Sequence, residues 1–538
     1  MLLYLRTLSY LRPIQIAWRC KRALRKFSAP KAKVFADVSI RKMSGSWLSD
    51  HRPHQSSMLS KDEFVFLNQK GMLNGAQDWN NASKDKLWLY NLHYFDDLTA
   101  ELSERRSEQH QNLIDRWIAE NPPFIGNGWE PYPTSLRIVN WITWFLNEQT
   151  PQPDWLESLM QQALSLRNDL EYHILGNHLF ANGKALVFAG AYFEGEEAEG
   201  WLKKGLEIVA AELNEQILND GGHFELSPMY HSVILNDVLD LINLARAYPL
   251  PELSSQLDFW REIAAKMNCW MSKMLHPDGQ ISFFNDSALK IAAAPEKLIS
   301  YAAKLQVPRP TFGDIQAGNS RYTHLDSTGY IRVEQPDMLA LLDCARIGPD
   351  YIPGHAHADT LTFELSLFGQ RVIVNSGTSC YGLSEDRLRQ RGTSAHNTLE
   401  VNGENSSEVW SGFRVARRAR PFDLQIDRAA GLKINCSHNG YRRLHPKVIH
   451  SRQWNFEEGS MVVVDRLEGQ LKKALANFHL HPDINVLESN SGVILKFGDR
   501  EAFLSVEGGR LTIVDSTWHP QFGVSQQSIR LSVNMDQA

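Results

Sequence analysis

The sequence has little cysteine and no long uninterrupted hydrophobic run. The cysteines number five among 538 residues, and none are spaced as C-x-x-C: Cys20, Cys269, Cys344, Cys380 and Cys436. Neither a disulfide framework nor a thiolate zinc site is predicted, as is typical of a reducing compartment. Charges interrupt each apolar run of residues 1–27, so neither a secretory signal nor a spanning helix is predicted there. The expected location is the cytoplasm, with the periplasm or cell envelope as the alternative.

The sequence also lacks an excess of positive charge. Its formal net charge is −6, which argues against a general nucleic-acid-binding protein, whose contact surface would be basic. An anionic substrate stays compatible with this balance, because one site can be locally basic on an acidic protein. The basic residues concentrated in 1–27 predict a helix packed on the body of the protein. Peripheral contact of this basic arm with a membrane surface is the alternative.

The apolar pattern changes near residue 315, and the length is enough for two or more domains. Before this point apolar residues recur at helical spacing, as in the stripe Leu159, Ala163 and Leu166, which predicts helical hairpins packed into a bundle or toroid. After it, short apolar runs between turn residues predict an all-β sandwich. The expected domains are an arm over 1–60, a helical domain over 61–315 and a β domain over 316–538. No low-complexity linker separates the last two, so we expect a site in the cleft between them.

The segment P-G-H-A-H-A-D at 353–359 precedes a strict polar–apolar alternation over 360–367, which predicts a half-buried strand. If the extended backbone begins earlier, His355, His357 and Asp359 share one face, since side chains alternate sides. Such a cluster can bind a metal, neutralise an anion or transfer a proton. Histidines that merely satisfy hydrogen bonds at a strand end are the structural alternative. Farther on, residues 398–401 followed by Asn402-Gly403 predict a β-hairpin.

Polar residues in the helical half form three further clusters. Tyr132 and Arg137 lie in an aromatic-rich stretch suited to sugar rings and carboxylates. Asn177 and His178 begin a predicted helix, where a negative group is favoured. Tyr230 precedes another helix and could act as an acid or base if neighbours lower its pKa from about 10. Core packing, a helix N-cap and a buried phenol are the respective structural alternatives.

Two basic segments, 387–398 and 413–420, lie in the β half. Charge runs of this kind usually form solvated faces. Beside a histidine cluster they predict an anion-binding wall instead.

Taken together, five segments resemble the heparinase II/III family of polysaccharide lyases and the related alginate and oligo-uronide lyases. They are G-N-H at 176–178, residues 225–231, 354–359, N-S-G-T at 375–378 and 394–398. The resemblance extends from about Trp88 to about Arg420. It implies an N-terminal (α/α) toroid followed by a C-terminal antiparallel β-sandwich, with the site in the groove between them and β-elimination at a uronic acid as the reaction.

The resemblance also implies roles for individual residues. Tyr230 would transfer the proton at the sugar C5 and the leaving oxygen, while Asn177, His178 and His355 would neutralise the substrate carboxylate. The expected substrate-binding residues are Tyr132, Arg137, His231, Arg391 and Arg414. A structural zinc would be held by His357, Asn375 and His396, although the family usually has aspartate at the position of Asn375. Asn is a weaker zinc ligand than a carboxylate. No organic cofactor is expected.

The predicted function is thus a polysaccharide lyase acting on an anionic, uronic-acid-containing glycan of the glycosaminoglycan or alginate type. A uronosyl C5-epimerase of the same architecture and a non-catalytic glycan-binding protein are the alternatives. A hydrolase would need paired carboxylates, for which Glu225 and Asp286 are the candidates. The sequence gives no signal for an oligomeric state.

Overall fold

The fold class predicted from the sequence is confirmed: helices form the N-terminal half and antiparallel sheets the C-terminal half. The structure is a computed structural model, and it describes residues 2–25, 32–33, 38–147, 149–309 and 311–535. No helix in these ranges is long and apolar enough to cross a membrane.

The α-helices of the described ranges are α1 (Leu2–Leu8), α2 (Pro13–Arg25), α3 (Lys86–Tyr94), α4 (Ser107–Glu120), α5 (Pro131–Leu146), α6 (Pro153–Asn168), α7 (Gly176–Tyr192), α8 (Glu196–Gln216), α9 (Pro228–Ala247), α10 (Pro251–Ser254), α11 (Leu257–Lys273), α12 (Pro295–Lys304) and α13 (Glu385–Arg391). Short 3-10 helices cover Ala76–Asn80, Asp96–Thr99, Ser103–Arg106, Asn127–Trp129, Thr393–Ala395 and Gly440–Arg443.

The strands are β1 (Glu63–Phe66), β2 (Gln69–Met72), β3 (Ile315–Ala317), β4 (Ser320–Leu325), β5 (Tyr330–Gln335), β6 (Met338–Asp343), β7 (Phe363–Leu367), β8 (Gln370–Ile373), β9 (Leu399–Val401), β10 (Val409–Trp410), β11 (Arg414–Val415), β12 (Pro421–Asp427), β13 (Leu432–His438), β14 (Ile449–Glu457), β15 (Ser460–Glu468), β16 (Ala474–His479), β17 (Asn485–Ser489), β18 (Gly492–Phe497), β19 (Arg500–Ser505), β20 (Gly509–Trp518) and β21 (Gln526–Met535).

Helices α5 to α9 pack around one apolar core, which holds the predicted stripe Leu159, Ala163 and Leu166. Helix α7 is buried on almost every side and approaches α8 closely at two glycines. A Cβ at Gly190 would lie 2.4 Å from the Leu202 nitrogen, and one at Gly205 would lie 2.7 Å from the Gly183 carbonyl oxygen. Such contacts exclude any side chain, so these glycines allow the two helices to pack together.

The β half is antiparallel throughout its named sheets. Its largest sheet has the order β3-β4-β5-β6-β7-β8, and four-stranded sheets follow in the orders β12-β13-β14-β15 and β20-β21-β16-β9. A second core lies between these layers, with Phe363 and Leu342 from the first sheet and Trp454 from the second.

Two local predictions need correction. The strand after the histidine cluster begins only at Phe363, so His355, His357 and Asp359 lie in a loop and no strand face aligns them. Asn402 and Gly403 do form a tight turn, with φ of 56° and 73°. Strand β9 nevertheless pairs with β16 rather than with a strand directly after the turn, because tertiary packing selects its partner.

The two halves bury apolar surface against each other. One cluster joins Leu226 and Trp270 of the helical half to Tyr330 and Leu341 of the β half. A buried polar contact accompanies it: Glu364 in β7 accepts from His276 Nε2 at 2.8 Å and from the Phe283 and Asn375 backbone N–H groups at 3.1 and 2.7 Å. Because buried polar groups must be hydrogen-bonded, this carboxylate fixes the alignment of the two halves.

We predict that Glu364→Ala lowers the free energy of unfolding by about 3 kcal/mol, because it leaves three buried donors unpaired at roughly 1–3 kcal/mol each, partly offset by relaxation. The shift of the urea unfolding midpoint measures this. Glu207→Ala, which removes an exposed carboxylate paired with Lys204 on α8, is the control and should leave the midpoint nearly unchanged. Equal midpoints for the two variants would contradict the role of Glu364.

Candidate active site

A cavity of about 1430 Å³ lies in the groove between the helical and β halves. Both halves contribute to its wall. The polar and aromatic residues of this wall include Tyr132, Asn177, His178, Tyr230, His355, Tyr381, Phe413 and Arg414. All of the residues expected to take part in the chemistry, Tyr230, His355, Asn177 and His178, therefore face the same space.

Tyr230 lies in the first turn of α9. Ser227 caps this helix: its Oγ accepts from the Tyr230 backbone N–H at 3.1 Å and donates to the Asp286 carbonyl oxygen at 2.5 Å. The Tyr230 hydroxyl lies 2.9 Å from the Tyr381 hydroxyl. Burial, followed by the neighbouring Tyr381, raises the pKa of Tyr230 well above 10. The neutral phenol is thus the resting form, contrary to the lowered pKa that the sequence argument required.

His355 lies beside Tyr230, with the two ring centres 4.0 Å apart and the ring planes tilted by 32°. Its Nδ1 lies 2.8 Å from Asp286 Oδ2 and 3.4 Å from the Tyr381 hydroxyl. Burial lowers the pKa of His355 even though Asp286 opposes this shift. A neutral His355 therefore donates Nδ1–H to Asp286, which leaves Nε2 with a free lone pair.

Asp286 is fully buried and holds these side chains in place. Arg387 donates to Oδ2 at 2.7 Å and also pairs with Oδ1, while His357 Nε2 lies 2.8 Å from Oδ1. Burial alone would raise the pKa of Asp286, but Arg387 and the two histidines hold that pKa well below its usual range. An ionised carboxylate can thus orient His355, as a carboxylate fixes a histidine tautomer in many sites.

This role of Asp286 and Arg387 was not predicted from the sequence. Asp286 entered only as a hydrolase candidate, and Arg387 only as part of a basic run. Asp286 is 69 residues from His355 and 101 from Arg387, so no local pattern connects them. In the sequence, a single aspartate after Phe283 and Phe284 suggests burial, but this pattern does not identify a partner.

Asn177 and His178 begin α7, as predicted. His178 Nδ1 lies 3.1 Å from Glu171 Oε1, and its ring centre lies 4.3 Å from that of Tyr132. The preceding Gly176 has φ of 60°, and a Cβ there would lie 3.0 Å from Ile352 Cδ1. Glycine at this position therefore lets the chain turn into α7 with Asn177 and His178 at the cavity.

Three expected substrate-binding residues do not line the cavity. Arg137 is fully buried and donates to Gln162 and to the carbonyl oxygens of His93 and Gly128, so it stabilises the helical core. The other two are equally buried. His231 Nε2 lies 2.9 Å from the Met267 carbonyl oxygen, and Arg391 donates to the Ala356 carbonyl oxygen at 2.9 Å. These three residues therefore have a structural role, and the expectation that they contact substrate was wrong. Tyr132 and Arg414 do face the cavity.

The hydrolase carboxylates are not placed for hydrolysis either. Asp286 is fully buried among its basic partners, and Glu225 is buried without a hydrogen-bond partner for either oxygen. Burial raises the pKa of Glu225 to about 8. Since neither lines the cavity wall, this pair does not flank a bond held there.

Two family models cover most of the chain. Residues 63–307 match the heparinase II/III N-terminus, and residues 317–537 match the heparinase II/III-like C-terminal region.

Curated relatives give weaker, partial matches. A heparin-sulfate lyase of Bacteroides stercoris is 26% identical over 379 residues, which are 65% of this chain and 53% of that protein. The chain thus spans about half the length of this relative. FtsZ-localized protein C of Caulobacter vibrioides is 21% identical over 450 residues, 77% of this chain and 73% of that protein. Among solved structures, heparinase III matches with a TM-score of 0.66 at 19% identity, covering 88% of this chain and 77% of that one.

Of the three residues expected to hold zinc, His357 and His396 face each other, whereas Asn375 lies on the other side of the His396 ring. His357 Nδ1 faces His396 Nε2 at 3.2 Å, whereas Asn375 Oδ1 lies 3.0 Å from the other ring nitrogen of His396. Asn375 Oδ1 also accepts from Thr362 Oγ1 at 2.8 Å. Within the described ranges no group of three or more His, Cys, Asp or Glu side chains could hold a metal. Structural zinc takes four ligands, so this donor set does not fit it.

We predict that the wild-type chain carries far less than one zinc per molecule, because Asn375 offers a neutral oxygen already engaged by its neighbours. Asn375→Asp supplies a carboxylate and should raise zinc affinity at least severalfold. Elemental analysis of protein purified without chelator, followed by zinc titration, measures both. Asn402→Asp, the same change in a remote turn, is the control. One zinc per wild-type molecule would contradict the prediction.

Proposed function

The chain belongs to the heparinase II/III family, and from this we propose that it is a polysaccharide lyase that cleaves a uronic-acid-containing glycan by β-elimination. One observation carries the proposal: Tyr230, His355, Asn177 and His178 face one cavity in the groove between the two halves. Its shape as a groove suits a polymer, and its size suits several sugars. The name of the Bacteroides stercoris relative, a heparin-sulfate lyase, supports an anionic polysaccharide as the substrate.

Elimination requires that the uronate carboxylate be neutralised, because the proton at C5 is weakly acidic while the neighbouring carboxylate keeps its charge. Preorganised donors stabilise the enediolate that develops. In our proposal the Asn177 amide and the His178 and His355 imidazoles supply these donors. A bound carboxylate also raises the pKa of a nearby imidazole, so His355 would take up a proton at Nε2 when the substrate binds.

Tyr230 is the proposed proton-transferring residue. When substrate binds, the phenol proton passes to His355 Nε2. The tyrosinate then removes the C5 proton, and the phenol so formed returns that proton to the leaving oxygen on the same face of the sugar. Its resting pKa is high because of burial and Tyr381. A protonated His355, whose ring centre lies 4.0 Å from that of Tyr230, would favour the tyrosinate. Substrate binding and activation of the base are coupled in this way.

The first test is a panel of heparan sulfate, chondroitin sulfate, hyaluronan and alginate, followed by ultraviolet absorbance. We expect at least one of them to yield unsaturated uronate ends, because only elimination creates the absorbing double bond. Dextran, which has no uronate, is the control substrate. Exchange of the C5 proton without absorbance would indicate the epimerase, and binding with neither outcome would indicate a non-catalytic glycan-binding protein.

The second test is Tyr230→Phe, which removes the hydroxyl and keeps the ring. On an accepted substrate we expect a loss of about 10²–10⁴-fold in turnover, because general acid–base catalysis contributes that much. Alanine variants of Asn177 and His355 should also lose turnover. Tyr248→Phe changes a buried tyrosine directly after α9, outside the cavity wall, and is the matched control. If Tyr230→Phe keeps most of its turnover, the assignment fails and Tyr381 becomes the next candidate.

A further inference from the structure

The N-terminal helices α1 and α2 bridge the two halves at the groove. Helix α1 lies on the β half, where the Tyr4 and Trp410 ring centres are 4.6 Å apart and Trp410 Nε1 donates to Thr7 Oγ1 at 3.1 Å. Helix α2 lies on the helical half, where Gln15 Nε2 donates to the Ile174 carbonyl oxygen at 3.2 Å. These helices precede residue 63 and so lie outside both family matches.

One face of these helices forms part of the cavity wall. The wall residues are Tyr4, Thr7 and Leu8 of α1, Leu11 of the segment between the helices, and Gln15 and Arg19 of α2. Gln15 and Arg19 are four positions apart and so lie on the same side of α2. The same cavity holds Asn177 and Tyr230. The arm therefore contributes to the space in which the proposed substrate binds.

Arg19 differs from three neighbouring arginines of α1, α2 and the segment between them. Arg6 pairs with Glu408, Arg12 with Glu215 and Arg22 with Asp169. Among the described residues Arg19 has no carboxylate partner, and its hydrogen bond runs to the His173 carbonyl oxygen at 3.4 Å. Its charge is thus left without a counterion at the cavity wall.

Arg414 is the second unpaired guanidinium of this wall. It lies over the rings of Tyr4 and Trp410, 5.3 and 5.0 Å from their centres, and it forms no salt bridge within the described ranges. Arg19 and Arg414 both line this cavity, and burial followed by the positive charge of Arg414 lowers the pKa of Arg19. Two like charges side by side repel each other, so an anion between them would relieve an unfavourable contact.

This arginine pair adjoins the reaction centre. Phe413 directly precedes Arg414, and its ring centre lies 5.1 Å from that of Tyr381 and 6.0 Å from that of His355. Consecutive residues of an extended chain lie ~3.8 Å apart at Cα. A sugar next to the one held at Tyr230 would therefore come within reach of the arginines.

We propose that Arg19 and Arg414 form an anion subsite that binds a carboxylate or sulfate group on a sugar adjacent to the cleaved one. The guanidinium fork matches the planar oxygens of a carboxylate and the oxygens of a sulfate, and it gives charge-assisted hydrogen bonds. The inference rests on the proposed function for its substrate class. It adds that the N-terminal arm takes part in recognising the glycan.

The test measures binding of fluorescent heparan sulfate and hyaluronan octasaccharides to the full chain at fixed ionic strength. Arg19→Ala should weaken binding about tenfold, the lower end of the range for loss of one hydrogen bond to a charged group, because Arg19 is exposed, and Arg19→Glu should weaken it further. Lys21→Ala is the matched control, because Lys21 lies on the same helix over the Trp18 ring and outside the cavity wall. On an accepted substrate, Arg19→Ala should raise KM more than it lowers kcat.

The two octasaccharides separate the possible anions. Equal weakening for both indicates a carboxylate, since hyaluronan carries no sulfate, and weakening for heparan sulfate alone indicates a sulfate. Unchanged binding by Arg19→Glu, or no binding of either octasaccharide to the wild-type chain, would overturn the subsite. If Arg19→Glu loses binding to phosphatidylserine vesicles but binds the octasaccharides as the wild-type chain does, the subsite would be overturned in favour of a membrane contact.

The outcome is separable from that of the proposed function, because octasaccharide binding is measured in chains that also carry Tyr230→Phe, which suppresses turnover. Weakened octasaccharide binding together with no unsaturated product from any glycan would overturn the lyase and support the subsite. Formation of unsaturated product, together with unchanged octasaccharide binding by Arg19→Glu, would support the lyase and overturn the subsite.

Discussion

The Asp286 carboxylate is completely buried. An ionised group in such a place would cost much free energy if it had no partners. Its partners come from the other half of the chain: Arg387 neutralises it, and His355 and His357 donate to its two oxygens. The helical half thus supplies the negative charge and the β half supplies the donors. Docking of the two halves and assembly of the site are consequently one physical event.

The groups around the cavity that would move protons are held in their neutral forms before any ligand arrives. Burial raises the pKa of Tyr230 and lowers that of His355, so neither carries charge at neutral pH. A uronate would favour protonation of His355, and the resulting imidazolium would in turn favour the tyrosinate form of Tyr230. In the proposed mechanism the substrate itself therefore completes the electrostatics of the site, which disfavours proton transfer in an empty cavity.

Local patterns were enough to predict the helical half, the β half, and the positions of Asn177, His178 and Tyr230 at helix starts. They did not predict contacts between residues far apart in the sequence, or which polar side chains are buried in the core. The contact between Asp286 and Arg387 spans 101 residues, which no periodicity encodes. Arg137 resembles a ligand-binding arginine in the sequence, but backbone carbonyls satisfy its guanidinium inside the core. A sequence shows the charge of a side chain and does not show which carbonyls surround it.

The Ser227 side chain ties the start of α9, and hence Tyr230, to the backbone of Asp286. Because Asp286 is in turn held by residues of the β half, the position of the phenol depends on both halves through a few short bonds. Neither half could be exchanged for that of a distant homologue as an independent module unless these contacts moved with it. The two halves are therefore constrained to diverge as one unit, even though each has its own core.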